Sequence, residues 1–180
     1  FQAYAQADLA LKEMHSNKEA YEKIAKLIPS KDQLKPVTAR ELESAYLAYK
    51  GNQLPKEMLK SMVEKSSEIE QLFNNFRAKV DGKEFTDNQL IEKLKAETKT
   101  PERKKIWEGM KQVGDQVAPK LIVLAKTRNE AAKKLGYKNF WEMQIKLQEH
   151  DPEQIMKIFT ELENVTNEPF KQMKAKLDQE

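Results

Sequence analysis

The stretch DQVAPKLIVLAKTRNEAAKKLG, residues 115–136, reads as one amphipathic helix, and that reading decides the class of the fold. Val117, Leu121, Leu124 and Leu135 recur at helical spacing, Pro119 is tolerable in a first turn, and Gly136 supplies a stop. Arg128 falls at the stripe's own spacing, and Asn129 lies on its edge with Ile122, Ala125 and Ala132. A guanidinium facing a core needs a carboxylate or several carbonyls, because an unpaired buried charge is costly. Glu130 is about 200° round the helix from Arg128, so it cannot be the partner. The stripe therefore predicts either a cross-helix polar network or a groove open to ligand at Arg128. Ala131 and Ala132 let another helix approach closely at the same level.

Helical punctuation continues on both sides. Downstream, Lys138 to Gln148 reads as a short helix, and Asp151-Pro152-Glu153-Gln154 combines an N-cap with a first-turn proline. The helix it opens carries Ile155, Ile158, Phe159, Leu162, Val165, Phe170, Met173 and Leu177, with a bend expected near Pro169. Upstream, Thr100-Pro101 starts a helix with Ile106, Trp107, Met110 and Val113 on one face, and Gly114 is its expected break. Thr86 with Gln89, Thr38 with Glu41 and Ser16 with Glu19 each have capping-box spacing. Pro55 opens a run whose stripe extends through Met58, Met62, Phe73 and Phe76 to Val80, with Asp81-Gly82 as its end. Such a run of about 26 residues is roughly 40 Å long. No stretch alternates like a strand, and the longest linker is Pro29 to Val37. The expectation is an all-α fold of about eight helices, one helical region over residues 1–180.

Composition narrows the function classes. The 180 residues include 32 basic and 29 acidic side chains, and the net charge of +3 comes mostly from Lys. Phosphate-reading surfaces usually cluster Arg with aromatics, so no nucleic-acid partner is expected. No long uncharged apolar run is present, and membrane insertion is not expected either. Zero cysteines exclude a disulfide framework and thiolate chemistry, and with no visible signal they lean towards the cytoplasm. Five glycines disfavour hairpin-rich β folds. The chain begins at Phe1 rather than Met and its last stretch reads as an uncapped helix, so a piece of a longer protein is expected.

Candidate chemistry is sparse. His15 reads as a surface histidine beside a helix start, and His150 as one at a helix C-terminus, where its cation complements the dipole. Neither begins an H-E-x-x-H, and there is no phosphate loop, nucleophile elbow or dinucleotide turn. Glu64/Glu68 and Glu161/Glu163 lie among lysines and read as solvated ion-pair faces, as does Arg103-Lys104-Lys105.

One set of residues carries a resemblance. Trp107-Glu108-Gly109, Val113-Gly114, Arg128-Asn129-Glu130-Ala131-Ala132-Lys133-Lys134-Leu135-Gly136-Tyr137 and Phe140-Trp141 resemble the angiotensin-converting-enzyme-like zinc peptidases, especially bacterial members and the related oligopeptidases. The match spans about Pro101 to Gln148, with a weaker extension through Gly51 to Pro55 and Phe73 to Arg77. The resemblance implies an elongated helical array forming one half of a cleft. Residues 1–100 are then lid-like, and 101–180 carry the signature. It implies an oligopeptide substrate and a zinc ion for the full-length protein. The zinc is held by an H-E-x-x-H helix and a later glutamate, and a bound water attacks the peptide carbonyl. None of those residues exists here, so no catalytic or metal-binding residue is assigned to this chain. Trp107, Arg128, Asn129, Glu130, Ala131, Ala132, Gly136 and Tyr137 stand as signature and structural residues. Where animal members carry a Trp-Arg pair, this chain reads Glu142-Met143-Gln144-Ile145, so chloride dependence is not implied. The chain by itself is expected to be inactive, and to self-associate if its cleft-facing side is apolar. The rival reading is a self-contained helical adaptor that binds partner helices without enzymatic activity.

Overall fold

The computed structural model describes residues 2–179. The fold is all-α. Among the described residues it has nine α-helices, one 3-10 helix and one short hairpin. The order is α1 (Gln2–His15), α2 (Lys18–Leu27), the 3-10 helix (Ile28–Gln33), α3 (Pro36–Lys50) and α4 (Lys56–Asn75). Strands β1 (Ala78–Val80) and β2 (Lys83–Phe85) follow, then α5 (Asp87–Ala96), α6 (Thr100–Lys111), α7 (Val113–Lys134), α8 (Phe140–Leu147) and α9 (Pro152–Leu177). Among the described residues, no helix is long and apolar enough to cross a membrane.

The local chemistry explains several boundaries. Thr86 and Gln89 form the reciprocal capping box at the start of α5, with Oγ1 accepting from Gln89 N–H and the Gln89 carboxamide accepting from Thr86 N–H. Asp151 caps α9 as expected, accepting from Glu153 N–H at 3.0 Å. The α7 stop at Gly136 is a Schellman turn. Gly136 has φ 84° and donates to Lys133 O, and Tyr137 N–H donates to Ala132 O, both at 3.0 Å.

Other boundaries correct the sequence reading. Helix α1 occupies residues to which that reading assigns nothing. The cap of α2 is Asn17, which accepts from Ala20 N–H at 3.0 Å, whereas Ser16 Oγ donates back to Glu13 O at the end of α1. Helix α3 starts at Pro36, so Thr38 lies inside the first turn and caps nothing. The break between α6 and α7 falls at Gln112, ahead of Gly114. Pro119 consequently lies in the second turn of α7 rather than the first, on its exposed face.

The largest correction is the run from Pro55 to Val80. Helix α4 stops at Asn75, and Ala78–Val80 pairs antiparallel with Lys83–Phe85. Asp81 at φ 50° and Gly82 at φ 75° form the turn. Both central residues of a two-residue hairpin turn of this hand need positive φ, and Asp-Gly supplies it. The same dipeptide that reads as a helix stop is thus a hairpin turn.

Two apolar clusters hold the body. Leu54, Leu59 and Ala131, with Met58, Met62 and Leu135 against them, lock α4 onto α7. Ala78, Leu90 and Ile106, with Phe76, Val80, Phe85, Leu94 and Met110, join the hairpin to α5 and α6. Burying a leucine contributes about 2 kcal/mol, so Leu59 and Leu90 anchor one cluster each. Helix α1 lies across α4, and α8 lies against α7. Helix α9 departs from this pattern: beyond Pro152 and Ile155 every described side chain is exposed. The stripe expected to face a core instead faces solvent, with Phe159 62 % and Val165 67 % exposed.

Candidate functional site

The site lies where α1, α3, α4, α7 and α8 converge. They enclose a cavity of about 580 Å³, open to solvent on one side. Its apolar wall includes Leu47, Leu59, Met62, Val63 and Met143, and Arg128, Ser66 and Gln144 supply polar groups. The volume falls in the range of small-molecule pockets.

Helix α7 places Arg128 here, half-buried, facing α4 and the start of α8. Nη2 points to Ser66 Oγ at 3.5 Å, a contact at the limit of hydrogen bonding. The guanidinium carbon sits 5.1 Å from the Phe140 ring centroid, a cation–π contact. Among the described residues no carboxylate pairs with Arg128, and no polar or charged side chain is fully buried. The expectation of a cross-helix polar network is therefore met only by one hydroxyl and one aromatic face. The other branch, a groove at Arg128, is what the helices enclose.

The remaining charges on the lining are engaged. Asp8 pairs with Lys12 along α1. Glu149 accepts both guanidinium nitrogens of Arg40 on α3, one of them at 2.6 Å. This pairing holds the Glu149 carboxyl below the usual carboxylate range and raises Arg40 in turn. Arg40 and Lys31 also share Glu43.

The signature residues divide into two groups. Asn129 Oδ1 accepts from Phe140 N–H at 2.9 Å, while Asn139 accepts from Glu142 N–H at 2.8 Å. Two of the orphan donors at the start of α8 are thereby satisfied, one from a neighbouring helix. Ala131 and Ala132 are fully buried, and Ala131 sits in the cluster that joins α4 to α7. Gly136 and Tyr137 make the turn into α8, and Lys50 Nζ stands 5.9 Å from the Tyr137 ring. These residues meet in one neighbourhood with Arg128. Trp107 and Glu130 do not: Trp107 is 52 % exposed on α6 beneath Lys111, and Glu130 is exposed on the far side of α7.

Gly109, quoted within the Trp107 motif, is the buried member of that segment. A Cβ there would lie 2.6 Å from Val80 Cγ2, so the hairpin rests directly on α6. Gln112 clamps the same hairpin, accepting from Lys79 N–H and donating to Lys79 O, both at 3.1 Å. Sequence reasoning missed Gln112 because only the hairpin's existence gives it a role. Ser66 was equally invisible, and Phe140, although quoted beside Trp141, gave no sign of its contact with Arg128, since their partner stands 62 positions from one and 12 from the other.

The histidines do not form a metal centre. His15 packs edge-on against Tyr49 at 5.1 Å, and its carbonyl accepts from Gln53. Among the described residues no group of three His, Asp or Glu side chains is placed to hold a metal. The carboxylates at Glu64, Glu68 and Glu161 pair with Lys60, Lys120 and Lys157, as solvated faces do. Arg103 donates to the carbonyls of Leu94 and Glu97 and closes the end of α5. Comparison of the chain with protein-family models, curated proteins and solved structures finds no match.

Proposed function

We propose that this chain is a non-catalytic, N-terminal portion of a zinc-dependent metallopeptidase acting on oligopeptides, and that its helices gate access to a cleft. The observation that carries the reading is the use made of the Arg128–Tyr137 signature. Asn129, Ala131, Ala132, Gly136 and Tyr137 each have a capping or packing task at the one junction where α4, α7 and α8 meet. A signature that recurs for such reasons fixes a scaffold rather than a reaction. Among the described residues no group of three His, Asp or Glu side chains gathers to hold a zinc ion, and no step of peptide cleavage is assigned to them. A cytoplasmic location belongs to the same proposal, resting on the absence of cysteine.

The exposed apolar surface supports a partner of some kind. Leu121, Ile122 and Val123 on α7 and the length of α9 present large apolar side chains to solvent. In the peptidase reading a catalytic half covers them. In the rival reading, a helical adaptor, helices of other proteins do so. Reading the coding DNA beyond Glu180 separates the two. An in-frame H-E-x-x-H followed by a further glutamate is expected, with zinc content and peptide cleavage in the long form. A stop codon close behind Glu180 would sink the peptidase reading and leave the adaptor.

A further inference from the structure

The structure assigns to the Arg128 cavity the binding of a small carboxylate with an apolar body, a site that stands whether or not the longer protein is a peptidase. Of the charges on the lining, Asp8 is engaged by Lys12 and Glu149 by Arg40. Arg128 alone keeps a charge without a counter-charge among the described residues, and its only acceptor is Ser66 Oγ at 3.5 Å. The Phe140 ring lies 5.1 Å from the guanidinium carbon and offers no lone pair, so the guanidinium N–H groups not directed at Ser66 are left for an acceptor. A planar fork of this kind matches a carboxylate with two parallel hydrogen bonds. Ser66 adds a hydroxyl donor at the same end of the cavity.

The rest of the cavity selects the ligand's body. Beyond Arg128 the lining combines leucine, methionine and valine side chains with Ser44, Asn52, Gln144 and Gln148 and the already paired Asp8 and Glu149, and the apolar part of a space of about 580 Å³ accepts an aliphatic or aromatic group. An inorganic anion leaves this wall wet, and an apolar alcohol leaves the guanidinium without its counter-charge. Only a molecule with both parts uses both ends.

Sodium 4-phenylbutyrate is a suitable probe, followed by amide and guanidinium NMR shifts on the 180-residue chain. A ligand of that size at ordinary efficiency binds with a dissociation constant on the order of 1 mM. Saturable shifts are expected at Ser66, Arg128, Phe140 and Met143. 4-Phenylbutanol and acetate should each bind at least tenfold more weakly. Arg128→Gln, which removes the charge and the fork but keeps a polar side chain, should weaken phenylbutyrate at least tenfold. Arg128→Lys keeps the charge without the fork, should weaken it severalfold, and is read instead if the Gln variant loses its helical spectrum. Equal binding of the alcohol, an unchanged affinity in the readable variant, or no saturable shift at 20-fold the expected constant (about 20 mM) each overturns the assignment.

Discussion

Asn129 shows how one side chain on one helix can decide where the next begins. Its carbonyl oxygen takes the N–H of Phe140, a donor that the first turn of α8 cannot satisfy from within. Asn129→Ala should therefore lower stability by about 1 kcal/mol, seen as a shift in denaturant midpoint with an unchanged slope. Asn129→Asp keeps the acceptor and adds a favourable charge at a helix start, so it should hold the native midpoint. Glu149 presents the opposite balance. It occupies the left-handed position after α8 at φ 65°, where its N–H donates to Lys146 O and the next N–H to Ile145 O, a turn that glycine makes without strain. Its carboxylate meanwhile holds Arg40. The folded carboxyl lies below its ordinary value of 4.5, so the pair contributes fully above that value and is lost as pH falls through the lowered one. Salt weakens the pair as well. Measured against the native chain, the melting midpoint of Glu149→Gly should rise by a few degrees on going from pH 7 to pH 3, or from low to 1 M salt. A difference that stays flat across both series contradicts this account.

Among the elements, the hairpin and α6 approach closely at Gly109. Gly109→Ala places a methyl group against the branched Cγ2 of Val80, which cannot swing away as a longer side chain would. The overpacking outweighs the gain in helix propensity, and a net loss of about 1–2 kcal/mol is expected in urea unfolding. A variant as stable as the native chain would mean that hairpin and helix can slide apart freely. The same region marks the limit of what the sequence discloses. Thr86 and Gln89 were legible because a capping box is complete within four residues. Asp81-Gly82 was legible as punctuation, yet whether it stops a helix or turns a hairpin depends on Ala78 and Phe85 finding each other across it. Phe76 and Val80 continue the helical period of α4 by coincidence and are packed from strand positions or beside them. Helix α1 went unassigned because four of its apolar residues are alanines, which mark a stripe only faintly, and none is fully buried. Arg128 announced itself by interrupting a stripe, but its surroundings belong to α4 and α8, and no local pattern names them.

At the scale of the whole molecule, the clusters around Leu59 and Leu90 form a body from which α9 extends with one turn packed. Long helices in water draw most of their stability from an apolar face pressed on something, and α9 has nothing along most of its length. The chain should therefore associate with itself at micromolar concentration, giving a sedimentation mass above 20.9 kDa. Replacing Phe159 and Leu162 together by Glu should restore the monomer. If the native chain sediments as a monomer throughout, the apolar face of α9 is not adhesive. A monomeric chain also bears on how heat would take it apart. Both tryptophans, Trp107 and Trp141, belong to the body, and α9 contains none. Trp141 meets α9 only at its first turns, beside Pro152 and Met156, so indole fluorescence reports little of the projecting length, while circular dichroism draws about a fifth of its α-helical signal from the helix. In the monomeric Glu variant the dichroism curve should begin to fall well before the fluorescence curve moves. The two probes would then report two different melting processes in one polypeptide, and no single transition temperature would describe it.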